Sequence, residues 1–167
     1  MPDQSLVDGM IRHRQAPHVP GQQPGNCVQA CLAGILDEPI IGRIPHVAWL
    51  DPQFSDDALV SGNPHAWWGV LQDTAARYGC TLHCIGSPSR EEALAADQFP
   101  LHQHIADGYE IAGVIGCGPS PRGPWGHAVI VDVHGQMVHD PHRSRSGVPF
   151  LDEVWLLVRP QIMAAAA

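Results

Sequence analysis

The second half of the chain restricts the fold most. From Tyr109 onward, runs rich in β-branched and apolar residues are separated by Gly/Pro loops: "YEIAGVIG" at 109–116, "HAVIVDV" at 127–133, a short run at 136–140 and "EVWLLVRP" at 153–160. His134-Gly135 marks a tight turn between the second and third runs. Runs of this length joined by short turns predict an antiparallel sheet, because parallel strands need long crossovers. The first half reads differently. Val28, Cys31, Leu32 and Ile35 fall on one helical face, with Asn26 as N-cap and "DEP" ending the helix near residue 36. A second helix is expected from Asn63-Pro64 to Gly79, with Trp68, Leu71, Ala75 and Tyr78 as its apolar stripe. A strand follows at 80–85 and a short helix at 91–99. Helices first and an antiparallel sheet afterwards make an α+β layout.

With 167 residues, the length suits one domain. The expected division is an extended arm over 1–20, a single domain over 21–160 and a tail over 161–167. Hydrophobic residues at 44% and charged residues at 16% argue against disorder. The formal charge of −8, with only nine Lys and Arg that look scattered along the chain, argues against nucleic acid as a partner. No apolar run has the length of a membrane span or a signal-peptide core, so a soluble cytoplasmic protein with no membrane partner is expected. Five cysteines, an odd number, then favour free thiols over a disulfide framework. No pattern signals an oligomeric state.

Cys27 opens the first helix, and a helix N-terminus favours a thiolate through the positive end of its dipole. A nucleophilic thiol also needs a base and a group to orient that base. The segment "GHAVIVDVHGQMVHDP" supplies both: His127 opens one strand, Asp140 closes the next, and a hairpin brings the two ends together.

The pieces "Q-x-x-GNC-x-x-ACLA" at 22–33 and "GHAVIV" with "VHDP" at 126–141 resemble the papain-like cysteine peptidases. The resemblance is strongest to bacteriocin-type leader-peptidase domains and their small bacterial and phage relatives. It implies a papain-like fold and an enzyme that needs no cofactor or metal. It further implies cleavage of an amide, most simply a peptide bond, in a peptide or protein substrate. Carried over position by position, Cys27 is the nucleophile, His127 the base and Asp140 its orienter, with Gln22 or Gln23 completing the oxyanion hole. Trp125 and Gly126, just before the base, are expected at the rim of the substrate cleft. The same fold hosts transferases and deamidases that use the same Cys-His pair, as well as binding or inhibitor modules without turnover.

Each residue also has a plainer reading. Free Cys commonly serves as a small core hydrophobe, and that is the expectation for Cys31. Cys27 and Cys31 with Cys80 and Cys84 form two C-x3-C pairs that a zinc ion could join, although structural zinc prefers C-x2-C turns. Cys117 reads as a loop residue beside the site, and Trp67 and Trp68 as helix packing.

Overall fold

The computed structural model describes residues 10–19, 22–47, 66–85, 101 and 105–161. Within these, two helices, α1 (Cys27–Ile35) and α2 (Ala66–Arg77), accompany β1 (Thr81–Cys84), β2 (Tyr109–Pro119), β3 (Gly126–Val131), β4 (Met137–His139) and β5 (Glu153–Pro160). The strands form one antiparallel sheet in the order β1-β5-β2-β3-β4. The chain is therefore α+β, and each described element lies within a few residues of its expected place. The expected helix over 91–99, the Asn63-Pro64 helix start and most of the tail lie outside the described residues.

Strands β2, β3 and β5 form the middle of the sheet, and both of their faces are covered. Ile115, Ala128, Ile130, Trp155 and Leu157 pack with Cys31 and Leu32 of α1 and with Leu71 and Ala75 of α2. The alternate residues Val114, Val129, Val131, Val154, Leu156 and Val158 join Leu101, Ile111 and Leu151 in a second cluster. Period-2 alternation with both faces apolar gives a near-continuous hydrophobic run, which is why these segments stand out in the sequence.

Helix α1 is buried on more than its expected stripe: Ala30, Cys31, Leu32, Ala33 and Gly34 are all buried. The reason lies upstream. A side chain on Gly34 would begin 2.8 Å from the Ile11 carbonyl oxygen, so the residue 10–19 segment crosses close over α1. The segment is also fastened by hydrogen bonds from Gln15 N to the Pro141 carbonyl (3.0 Å) and from the His139 ring to the His13 carbonyl (2.9 Å). The described part of the arm is thus packed onto the domain. Asn26 stands at the N-cap position but makes no side-chain cap. Its amide oxygen accepts from Ala16 N and its amide nitrogen donates to Gln29 Oε1, so this residue ties the arm to the helix.

Candidate active site

The β3–β4 hairpin brings His127 and Asp140 together as the sequence predicts. His127 Nε2 lies 2.8 Å from Asp140 Oδ1, and both side chains are almost fully buried, at 2% and 0% exposure. Three donors meet the Asp140 carboxylate. Oδ1 receives His127 and the His142 N–H (2.8 Å), and Oδ2 receives the Gly147 N–H (2.8 Å). Burial alone would raise the Asp140 pKa, but these hydrogen bonds outweigh it and hold the carboxyl below its ordinary range. For His127 the balance reverses. Burial lowers its pKa, Asp140 opposes this only in part, and the charges of Arg122 and His142 lower it further. The resting pair is therefore a carboxylate and a neutral imidazole.

Cys27 opens α1 and shares a cavity wall with His127. A depressed thiol pKa is expected at a helix start, and here the structure differs. Burial pushes the Cys27 thiol up, and backbone hydrogen bonds at Ala128, Val28 and Cys27, together with the Arg122 charge, oppose it without winning. Desolvation of a thiolate among apolar neighbours exceeds what the helix end returns. The site thus rests with both thiol and imidazole neutral.

The cavity beside the pair encloses about 560 Å³ and is walled by Trp67, Trp125 and Trp155, with His18, His46, Arg122 and His142 as further ionisable lining. Trp125 lies against His18 of the arm with ring centroids 4.4 Å apart. It also stacks over Gly123, where any side chain would collide with the indole. Trp67 and Trp68 pack edge to face with each other and around Trp155, so Trp67 is both helix packing and cavity wall. A second hollow of about 530 Å³ shares Cys27, Trp125, Gly126 and His127 and continues to Cys117, Asp152 and Glu153. Cys27 and His127 therefore stand between two open spaces, the arrangement a substrate extending both ways from a reacting bond requires. Trp125 and Gly126 line both.

Gln22 and Gln23 sit elsewhere. They form a turn in which Gln22 N and Gln23 N both donate to the Val19 carbonyl (3.0 and 2.9 Å), and neither lines these cavities. Gln15, twelve positions before Cys27, lines the larger one. Its Nε2 lies over Gly25, 3.3 Å from where a side chain there would begin, and its buried Oε1 has no hydrogen-bond partner among the described residues. The sequence hides this residue because the arm folds back over α1, which no local pattern announces.

Cys31 is fully buried, with its thiol toward the Ala128 carbonyl (3.5 Å). Cys117 lies on β2 opposite Ala128 and not in a loop, because β2 runs on to Pro119. Cys80 precedes β1, and Cys84 ends it, exposed and bonded to Glu153 (3.0 Å). Among the described residues, no group of three or more His, Cys, Asp or Glu is placed to hold a metal ion, and no helix is long and apolar enough to cross a membrane. Compared with known proteins, the chain matches no family model, no curated sequence and no solved structure.

Proposed function

We propose that the protein is a cysteine-dependent hydrolase of papain-like fold that cleaves an amide, most simply a peptide bond, through a thioester. One observation carries this reading: His127, buried and hydrogen-bonded to Asp140, lines the same cavity as a thiol at a helix start. A buried carboxylate with three donors and a buried imidazole are costly to assemble, and such groups concentrate where protons are moved.

With thiol and imidazole both neutral at rest, His127 acts as general base at the moment of attack. The Cys27 proton passes to the ring nitrogen not bonded to Asp140, and the sulfur adds to the carbonyl carbon. Asp140 keeps the Nε2 proton in place and stabilises the imidazolium that forms. His127 then protonates the leaving amine, giving the thioester, and water deprotonated by His127 releases the acid and restores Cys27. The carbonyl oxygen becomes an anion during both additions. The N–H groups at the open end of α1 and the Gln15 amide are the donors available to it.

The test is an unbiased peptide-library digest with wild type and Cys27→Ala in parallel, combined with mass spectrometry of acid-quenched protein. Cleavage that vanishes in Cys27→Ala, with an acyl adduct on Cys27, supports the proposal. Cleavage that survives the substitution sinks it.

A further inference from the structure

All nine basic residues of the chain are arginines, Arg90 lying outside the described residues, and the other eight are not scattered. Arg43 pairs with Glu38, and Arg159 pairs with Glu110. Arg77 bonds Thr74. Four others converge: Arg12 and Arg14 from the arm and Arg143 and Arg145 from the loop after β4 wall a hollow of about 410 Å³. Among the described residues none of these four has a carboxylate partner, although the chain carries 17 Asp and Glu. Asp140 is the acidic residue in that wall, and its oxygens are taken by His127, His142 N and Gly147 N.

The convergence is built by two alternations. In the arm, exposed Arg12 and Arg14 alternate with half-buried His13 and Gln15, the residues fastened to β4 and Pro141. In the loop, Ser144 and Ser146 both accept from Arg122 Nη1 (3.0 and 2.8 Å), leaving Arg143 and Arg145 to the other side. Arg145 holds a left-handed backbone (φ 52°), unusual for a residue with a side chain. Four guanidinium groups held near one another repel, and an anion placed among them offsets that repulsion. His142 lines both this hollow and the tryptophan-walled cavity beside Cys27, so the two spaces adjoin.

We infer that this arginine-walled hollow is a substrate subsite that binds an acidic peptide segment on one side of the bond presented to Cys27, with Arg122 as the cation nearest the reacting atoms. The planar arginine fork matches a carboxylate bidentately, and several such pairs along an extended chain give register as well as affinity. A peptide is the ligand the adjoining amide-cleaving site calls for, so the inference rests on that reading. The negative balance of the rest of the surface opposes a long polyanion and leaves room for a short one.

The experiment measures fluorescence anisotropy of fluorescein-labelled tetraglutamate on the full chain, with labelled tetra-alanine, tetralysine and a short oligouridylate as comparisons and inorganic phosphate as competitor. Tetraglutamate should bind at least about tenfold more tightly than tetra-alanine. Its binding should weaken as salt rises from about 50 to about 500 mM. Arg143→Gln/Arg145→Gln and Arg12→Gln/Arg14→Gln should each lose roughly tenfold or more, while Arg143→Lys/Arg145→Lys should recover part of the loss. Cys27→Ala should bind as wild type does, so this result stands apart from the fate of the hydrolase reading. Tetraglutamate no better than tetra-alanine, or unmoved by the arginine changes, would overturn the inference. Tighter binding of oligouridylate would replace it with a nucleic-acid site, and equal displacement by millimolar phosphate would reduce it to a small-anion site. If the peptide digest succeeds, scissile bonds should lie next to Asp/Glu-rich segments, and the arginine variants should raise KM more than they lower kcat.

Discussion

His127 and Asp140 on the hairpin are buried and Cys27 on the helix is half-buried, yet the loss of water acts on the two halves in opposite ways. On the hairpin, the Asp140 carboxylate is enclosed and still held below its ordinary pKa, because three donors meet its two oxygens. On the helix, the half-buried Cys27 thiol is driven up, because backbone groups and the Arg122 charge do not offset the lost water. Hydrogen-bond saturation, not depth, decides which buried group is charged. The hairpin half is therefore a fixed, ionised device, and the helix half is a neutral group that has to be activated in use.

The largest effect should come from removing the activated half. Cys27→Ala is expected to reduce turnover by about 10⁴-fold or more, the scale seen when a nucleophile of a cooperating set is deleted, with little change in thermal stability. Cys31→Ala, one turn along the same helix, should do the reverse. It removes a fully buried sulfur and should lower stability by about 1–2 kcal/mol while leaving activity near wild type. Exchange of the two outcomes between the two cysteines would mean that the nucleophile has been misassigned.

Asp140→Asn tests the fixed half. Asparagine keeps the shape and offers one acceptor oxygen, so its NH₂ has to face a donor, either Gly147 N–H or the His127 and His142 pair. A buried hydrogen bond left unmade costs about 1–3 kcal/mol, and urea titration should show a loss in that range. Turnover should fall as well, because neutral asparagine no longer stabilises imidazolium. A variant as stable and active as wild type would reduce Asp140 to a turn residue.

The same contrast explains what could be read in the chain. The hairpin half is local: a strand, a Gly turn and a strand place His127 beside Asp140 within fourteen residues, and pattern alone reaches it. The sheet was legible for the same reason, its strands being short apolar runs between turns. The helix half is assembled from a distance. Gln15 enters the cavity only because the arm docks over Gly34 and along Pro141, and Asn26 serves that docking instead of capping α1. The thiol's raised pKa comes from its desolvation against the sheet, which the Ala128 backbone opposes only in part, whereas a helix-dipole argument sees only the helix. The four arginines look scattered because Arg12 and Arg14 lie more than a hundred residues from Arg143 and Arg145.

The smallest effect, and the most direct check on the contrast, lies in pH. A group whose folded pKa is lowered is protonated first in the unfolded chain as pH falls, so it removes stability on acidification. His127 should therefore begin to weaken the fold below about pH 6.5, the free imidazole value, and Asp140 should add a second loss below about pH 3.9 as its hydrogen bonds are protonated away. A group whose folded pKa is raised behaves oppositely. Cys27, with Cys31 and Cys117, should cost stability as pH climbs past about 8.5, where the unfolded thiols ionise first. Activity should follow the same groups. kcat/KM should rise as His127 loses its proton below neutrality, hold across the neutral range, and bend again only as the thiol ionises above about pH 8.5. A preformed thiolate–imidazolium pair would assign the two limbs the other way round. Ultraviolet thiolate absorbance, taken as wild type minus Cys27→Ala, separates the two cases. Little absorbance at neutral pH, appearing only on the alkaline side, fits a half-buried thiol activated on demand, while strong absorbance at pH ~6 would mean that the helix end and the imidazole outweigh burial after all.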